Sequence, residues 1–150
     1  MHITFADVER ARPIITPIVR RTPLLSSAAL GERIGASAFL KAENLQRTGS
    51  FKPRGAVNAM LTLTDEQRRG GVVTMSAGNA AQAIAFAGRQ AGAKVTVVMP
   101  ETAVRSKVEA TRGYGAEIVF KPDVTQLAAA VEEIRARTGA HSCIRTTIPR

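Results

Sequence analysis

An α/β fold, with a parallel sheet carrying helices on both faces, is predicted by three observations. From residue 72 onward, short apolar or β-branched runs alternate with helix-length segments, the pattern of successive β-α units. Gly92, Gly113 and Gly115 fall at the junctions, where helix C-caps call for a residue tolerant of positive φ. The chain has 150 residues, 45% of them hydrophobic, with charges spread throughout, so it is about one ordinary domain long and can bury a sizeable core.

Taken in order, the first segment is punctuated by Pro13, Pro17 and Pro23. Ser26 and Ser27 can cap a short helix ending near Gly35, and Ala38 to Ala42 reads as a strand followed by a loop from Glu43 to Ser50. Pro53 suits the first turn of a helix running on to Leu61, because its missing N–H costs nothing there, and this puts Lys52 at the helix entrance. Arg68-Arg69-Gly70-Gly71 marks a boundary. Beyond it the expected elements are strands over 72–75, 94–99 and 117–120 and helices over 80–90, 103–112 and 124–137. The alanine-rich stretches are helix formers rather than low-complexity sequence.

Composition narrows the function classes. The net charge of +9, from 21 Lys and Arg against 12 Asp and Glu, raises nucleic acid as a partner. The basic residues are scattered, however, and one Tyr with no Trp leaves little for base stacking, which argues against it. No apolar run approaches the roughly 20 residues that span a bilayer, and the N-terminus lacks a secretory pattern, so we expect no membrane association and a cytoplasmic location. One Cys and two His give no metal-ligand spacing, so no metal is expected.

Two segments carry chemistry: Thr48-Gly49-Ser50-Phe51-Lys52-Pro53-Arg54-Gly55-Ala56, and Ser76-Ala77-Gly78-Asn79-Ala80-Ala81-Gln82-Ala83 at a strand-to-helix junction. In the second, unpaired N–H groups and the positive end of a helix dipole would face a crevice and attract an anion. Ala77 and Gly78 are small enough to let it approach, and Ser76 and Asn79 can add hydrogen bonds. An ordinary capped β-α turn would use the same residues. A lone lysine such as Lys52 is usually a solvated charge. What singles it out is its place after Gly-Ser-Phe at a helix start, with the anion turn some 25 residues on.

Together these segments resemble the fold-type-II pyridoxal-phosphate (PLP) enzymes, tryptophan synthase β-like in fold. The serine/threonine dehydratase and serine racemase branch of that family carries Ser-Phe-Lys-x-Arg-Gly-Ala and then Ser-Ala-Gly-Asn-His-Ala-Gln. Arg21-Thr22-Pro23-Leu24, Lys41 to Gln46, Val97 to Pro100 and Lys107 to Glu117 also resemble that branch, in order and in register. The resemblance implies that Lys52 is the Schiff-base lysine, that Phe51 flanks the pyridine ring, and that Asn79 partners the cofactor's phenolic oxygen. Ser76, Ala77, Gly78 and Asn79 would grip the substrate carboxylate. The implied cofactor is pyridoxal 5'-phosphate and the implied partner a small amino acid. The implied reaction is elimination of water from L-threonine or L-serine to give a 2-oxo acid and ammonia, with Lys52 also serving as general base. A homo-oligomer is implied for the intact form.

Ala80 stands where these dehydratases usually have His, and Ala77 where the racemases have a Ser that acts on the second face of the α-carbon, which favours dehydration over racemisation. Nothing here corresponds to the family's glycine-rich phosphate loop or to the residue facing the pyridine nitrogen. The expected organisation is therefore residues 1–69 as a partial large domain holding Lys52, with its C-terminal half missing, residues 70–139 as a small β-α domain, and residues 140–150 as a divergent tail. That tail reads as frameshifted, since one choice of synonymous codons for Ser142 to Pro149, read from the last base of the first, encodes the family's Met-His-Pro-Tyr-Asp-Asp-Pro. Competing readings are a serine racemase, another PLP amino-acid lyase, and a non-catalytic truncated remnant. The partial large domain is expected to expose apolar surface and to be poorly soluble.

Overall fold

The computed structural model describes residues 3–142, so the frameshifted-tail reading lies, apart from the residues up to Ser142, outside the described residues. In chain order the elements are α1 (Phe5–Ile15), β1 (Leu24–Ser26), α2 (Ala28–Ile34), β2 (Phe39–Lys41), α3 (Lys52–Leu61), α4 (Asp65–Gly70), β3 (Val72–Met75) and α5 (Asn79–Ala91). There follow β4 (Val95–Pro100), α6 (Arg105–Gly113), β5 (Glu117–Lys121), α7 (Leu127–Thr138) and β6 (His141–Ser142).

The sheet β5-β4-β3-β6 is parallel throughout. Its central strands, β3 and β4, read as near-continuous apolar runs because both faces of the sheet are covered there. Alternate residues serve two cores: Val72, Val95, Val97 and Met99 pack with α3, α5 and α6, whereas Val73 and Val98 pack with Leu127, Ala130, Val131 and Ile134 of α7. The chain moves outward from β3 to β4 to β5 and then returns to β6 on the other side of β3, so the order reverses at β3. Crevices at such reversals, beyond the carboxyl ends of the strands, are where open α/β sheets bind ligands. The segment leaving the carboxyl end of β3 is Ser76-Ala77-Gly78.

The expected elements are present within a few residues of their bounds. Gly92 caps α5 in the left-handed region at φ 65°, and Gly115 has φ 91°, while Gly113 instead completes α6. Two helices lie where none was expected. In α1 the Thr4 N–H donates to Asp7 Oδ2 at 2.7 Å, and Pro13 sits late enough to leave the earlier turns intact. In α4 the reciprocal bonds of Thr64 and Gln67, 2.9 and 3.2 Å, close a capping box. The boundary expected near Gly70 falls between α4 and β3, yet Val57 and Met60 of α3 are fully buried in the same core as α5, β3 and β4.

β1 and β2 form a separate antiparallel pair, Leu24 opposite Lys41 and Ser26 opposite Phe39, with all six residues exposed. No helix among the described residues is long and apolar enough to cross a membrane.

Candidate active site

A cleft of about 470 Å³ opens between the start of α3 and the start of α5. Phe51, Lys52, Gly55, Ala56 and Ala59 line one side, Met75, Ser76, Ala80, Ala83 and Ile84 the other, with Arg54 at its margin. The structure thus brings Phe51, Lys52 and Ser76 to one cavity. Ala77, Gly78 and Asn79 are not among its lining residues and sit beside it at the mouth of α5.

Lys52 is the first residue of α3, with Pro53 buried behind it in the first turn. Its Nζ lies 5.1 Å from the centre of the Phe51 ring, and among the described residues no carboxylate pairs with it. The ammonium is therefore available to the cleft. Across from it, Gly78 precedes α5 with no side-chain cap hydrogen bond among the described residues, leaving the first-turn N–H groups and the positive end of a 13-residue helix without a capping side chain. Ser76 Oγ accepts from the Gly78 N–H at 3.3 Å, which folds the turn back on itself. A Cβ built on Gly78 would meet nothing within 4 Å, so the space before the helix is open. Asn79 is exposed, and its Oδ1 accepts from Lys107 Nζ at 2.8 Å.

Behind Lys52 lies a polar network that the sequence does not announce. Arg54, two residues on, donates from Nε and Nη2 to Glu43 at 3.0 and 2.6 Å, and the Thr22 hydroxyl donates to the same carboxylate at 2.5 Å. Arg54 Nη2 also reaches the Arg20 carbonyl at 3.2 Å, which in turn accepts from Gln46 Nε2 at 2.9 Å. The Arg54 hydrogen bond first, then that from Thr22 and the nearby charges of Arg54 and Lys41, hold the Glu43 carboxyl below its ordinary value, against an opposing effect of burial. The network ties the first turn of α3 to segments 20–22 and 41–46. A signal for it exists in the family-like stretches around Thr22 and Glu43, but nothing in them pairs these residues with Arg54.

The residues present fit a pyridoxal phosphate group in part: an unpaired lysine beside an aromatic ring, an open cavity, and opposite it an uncapped helix start suited to a carboxylate. Ala80 lies on the cleft wall, so the absence of the usual His there leaves the wall without a polar ring.

The comparisons with known proteins agree with this geometry. A catabolic L-threonine dehydratase of Staphylococcus aureus is 48% identical over 120 residues, covering 79% of this chain and 35% of the relative. The chain therefore spans about a third of the length of the curated relatives it matches. Maize serine racemase superposes with a TM-score of 0.86 at 36% identity, over 91% of this chain and 42% of that one. A threonine deaminase from T.th. superposes with a TM-score of 0.84 at 37% identity, over 94% of this chain and 44% of that one. Residues 15–145, most of the chain, match the family model described as pyridoxal-phosphate dependent enzyme, and the chain belongs to that family.

Proposed function

We propose that the protein to which this chain corresponds eliminates water from L-threonine or L-serine, with pyridoxal 5'-phosphate as cofactor, giving a 2-oxo acid and ammonia. The observation that carries this reading is that Lys52 and the uncapped start of α5 border one cleft. Lys52 would hold the cofactor through Nζ, Phe51 would flank its ring, and Asn79 would donate to its phenolic oxygen. Ser76, Ala77, Gly78 and Asn79 would bind the substrate carboxylate, using the N–H groups of the first turn of α5 and the Ser76 hydroxyl. When bound, the cofactor supplies an electron sink for the charge left at the substrate's α-carbon. The chain's own part is to fix the carboxylate so that the Cα–H bond meets Lys52 Nζ, which accepts that proton as general base. Ala77 carries no hydroxyl to protonate the opposite face, which supports elimination over the racemisation named for the maize neighbour.

The same reading divides the chain near Gly70, with residues 1–69 belonging to a large domain and 70–139 to a small one that meet along α3 and α5. It also makes the whole protein a cytoplasmic homo-oligomer. Adding pyridoxal phosphate, reducing with borohydride and mapping the labelled peptide tests the anchor. Label is expected at Lys52 and lost in Lys52→Ala; label spread over surface lysines would sink the assignment. In a family-length version, 2-oxo acid is the expected product and inverted serine the contrary one.

A further inference from the structure

We propose that Lys107 is a positioning residue that fixes Asn79 as a hydrogen-bond donor at the cleft. Lys107 Nζ lies 2.8 Å from Asn79 Oδ1, a contact between α6 and α5 across 28 residues of sequence. An ammonium has three N–H donors and no lone pair, so the only atom of a carboxamide that can face it is the oxygen. With Oδ1 turned toward the lysine, the opposite edge of the amide, the two N–H bonds of Nδ2, is the edge left to meet a ligand. A group facing Nδ2 must accept, and an oxygen bearing negative charge does so best.

Lys107 is built into its place. It is half-buried, Val108 and Thr111 beside it are buried, and the Thr111 hydroxyl bonds the Lys107 carbonyl at 2.8 Å. The nearest acidic residue on the helix, Glu109, is engaged by Arg105 at 2.6 Å and does not draw the ammonium away. A free asparagine amide flips between two orientations, whereas here the lysine holds the one with Oδ1 toward α6.

The inference rests on the reading of Asn79 as a cofactor contact, and its test separates the two. The probe is pyridoxal 5'-phosphate, titrated into the chain with borohydride trapping at Lys52, in the parent, Lys107→Met, Lys107→Arg, Asn79→Ala and the Lys107→Met/Asn79→Ala double variant. Lys107→Met is expected to raise the half-saturating concentration about fivefold, roughly the worth of one hydrogen bond, while Lys107→Arg, also a pure donor, stays near the parent. In the Asn79→Ala background the Lys107 change is expected to add nothing, because its effect passes through Asn79. An equal loss in both backgrounds would mean that the lysine acts by charge alone and would overturn the proposal. In the cofactor-free chain, the Asn79 side-chain amide resonances are expected to shift in Lys107→Met with the melting temperature unchanged. If the parent takes no label at Lys52, the reading of the site fails, and the amide resonances still decide: no shift overturns the role of Lys107.

Discussion

Arg54 and Glu43 show what one ion pair does two residues from Lys52. Their side chains are 31% and 15% exposed, so each lies largely out of water and depends on the other. Removing the cation in Arg54→Ala leaves a mostly buried carboxylate with only the Thr22 hydroxyl and the Lys41 charge nearby, and should cost about 1–3 kcal/mol at pH 7. The pH dependence has a definite sign. The folded-state pKa of Glu43 is depressed, so the pair's contribution is complete above the ordinary glutamate range and disappears as pH falls through the depressed value. Urea melts of the parent and Arg54→Ala should therefore differ at neutral pH and converge as the pH falls below the ordinary glutamate range. A gap that stays constant over that range would mean that the arginine acts through its packing rather than its charge. The lysine and the Ser76 to Asn79 turn were legible in the sequence because each lies in a contiguous motif. The Arg54–Glu43 and Lys107–Asn79 pairs were not, because 11 and 28 residues separate the partners and only the folded chain brings them together.

At the scale of elements, the placement of the site depends on how closely α5 lies on the sheet. Eight consecutive residues of α5, Ala81 to Gly88, are buried, and a helix covered on so many sides needs small side chains. At Gly88 the requirement is strict: a Cβ would lie 2.2 Å from Val95 Cγ2 and 3.1 Å from the Ala93 carbonyl oxygen. Gly88→Ala gains helix propensity of about 1 kcal/mol but forces α5 away from β4, and overpacking of this kind costs about 1–3 kcal/mol. The expected result is a lower melting temperature, partly restored when Val95→Ala opens the space. Unchanged stability would show that α5 can shift freely and that its start is not held by the sheet. The β-α succession was readable because buried parallel strands appear as uninterrupted apolar runs between glycine turns. α1 and α4 escaped because neither buries a residue fully; in α1 Phe5 and Val8 stay exposed and Pro13 interrupts the pattern, and only the Thr64-x-x-Gln67 cap signature pointed to α4.

Across the whole molecule, burial is uneven. The parallel sheet is covered on both faces, while the β1–β2 pair leaves Leu24 61%, Phe39 59% and Leu40 51% exposed. A two-stranded ribbon has two open edges, and apolar side chains along such edges favour pairing with another copy. The expectation of poor solubility thus has a specific location. Concentration-dependent association is expected for the parent in sedimentation velocity. Replacing the cross-strand pair Leu25 and Leu40 by Lys and Glu keeps the strands paired through opposite charges and removes the apolar contact. Because both positions are exposed, the double variant should alter folding stability by only about 0.5 kcal/mol while shifting the population toward monomer. A parent that sediments as a monomer at high concentration would show that the ribbon is not adhesive. A variant that associates as strongly as the parent would move the contact elsewhere, and the exposed apolar residues of α1, Phe5 and Val8, are then the surface to change next.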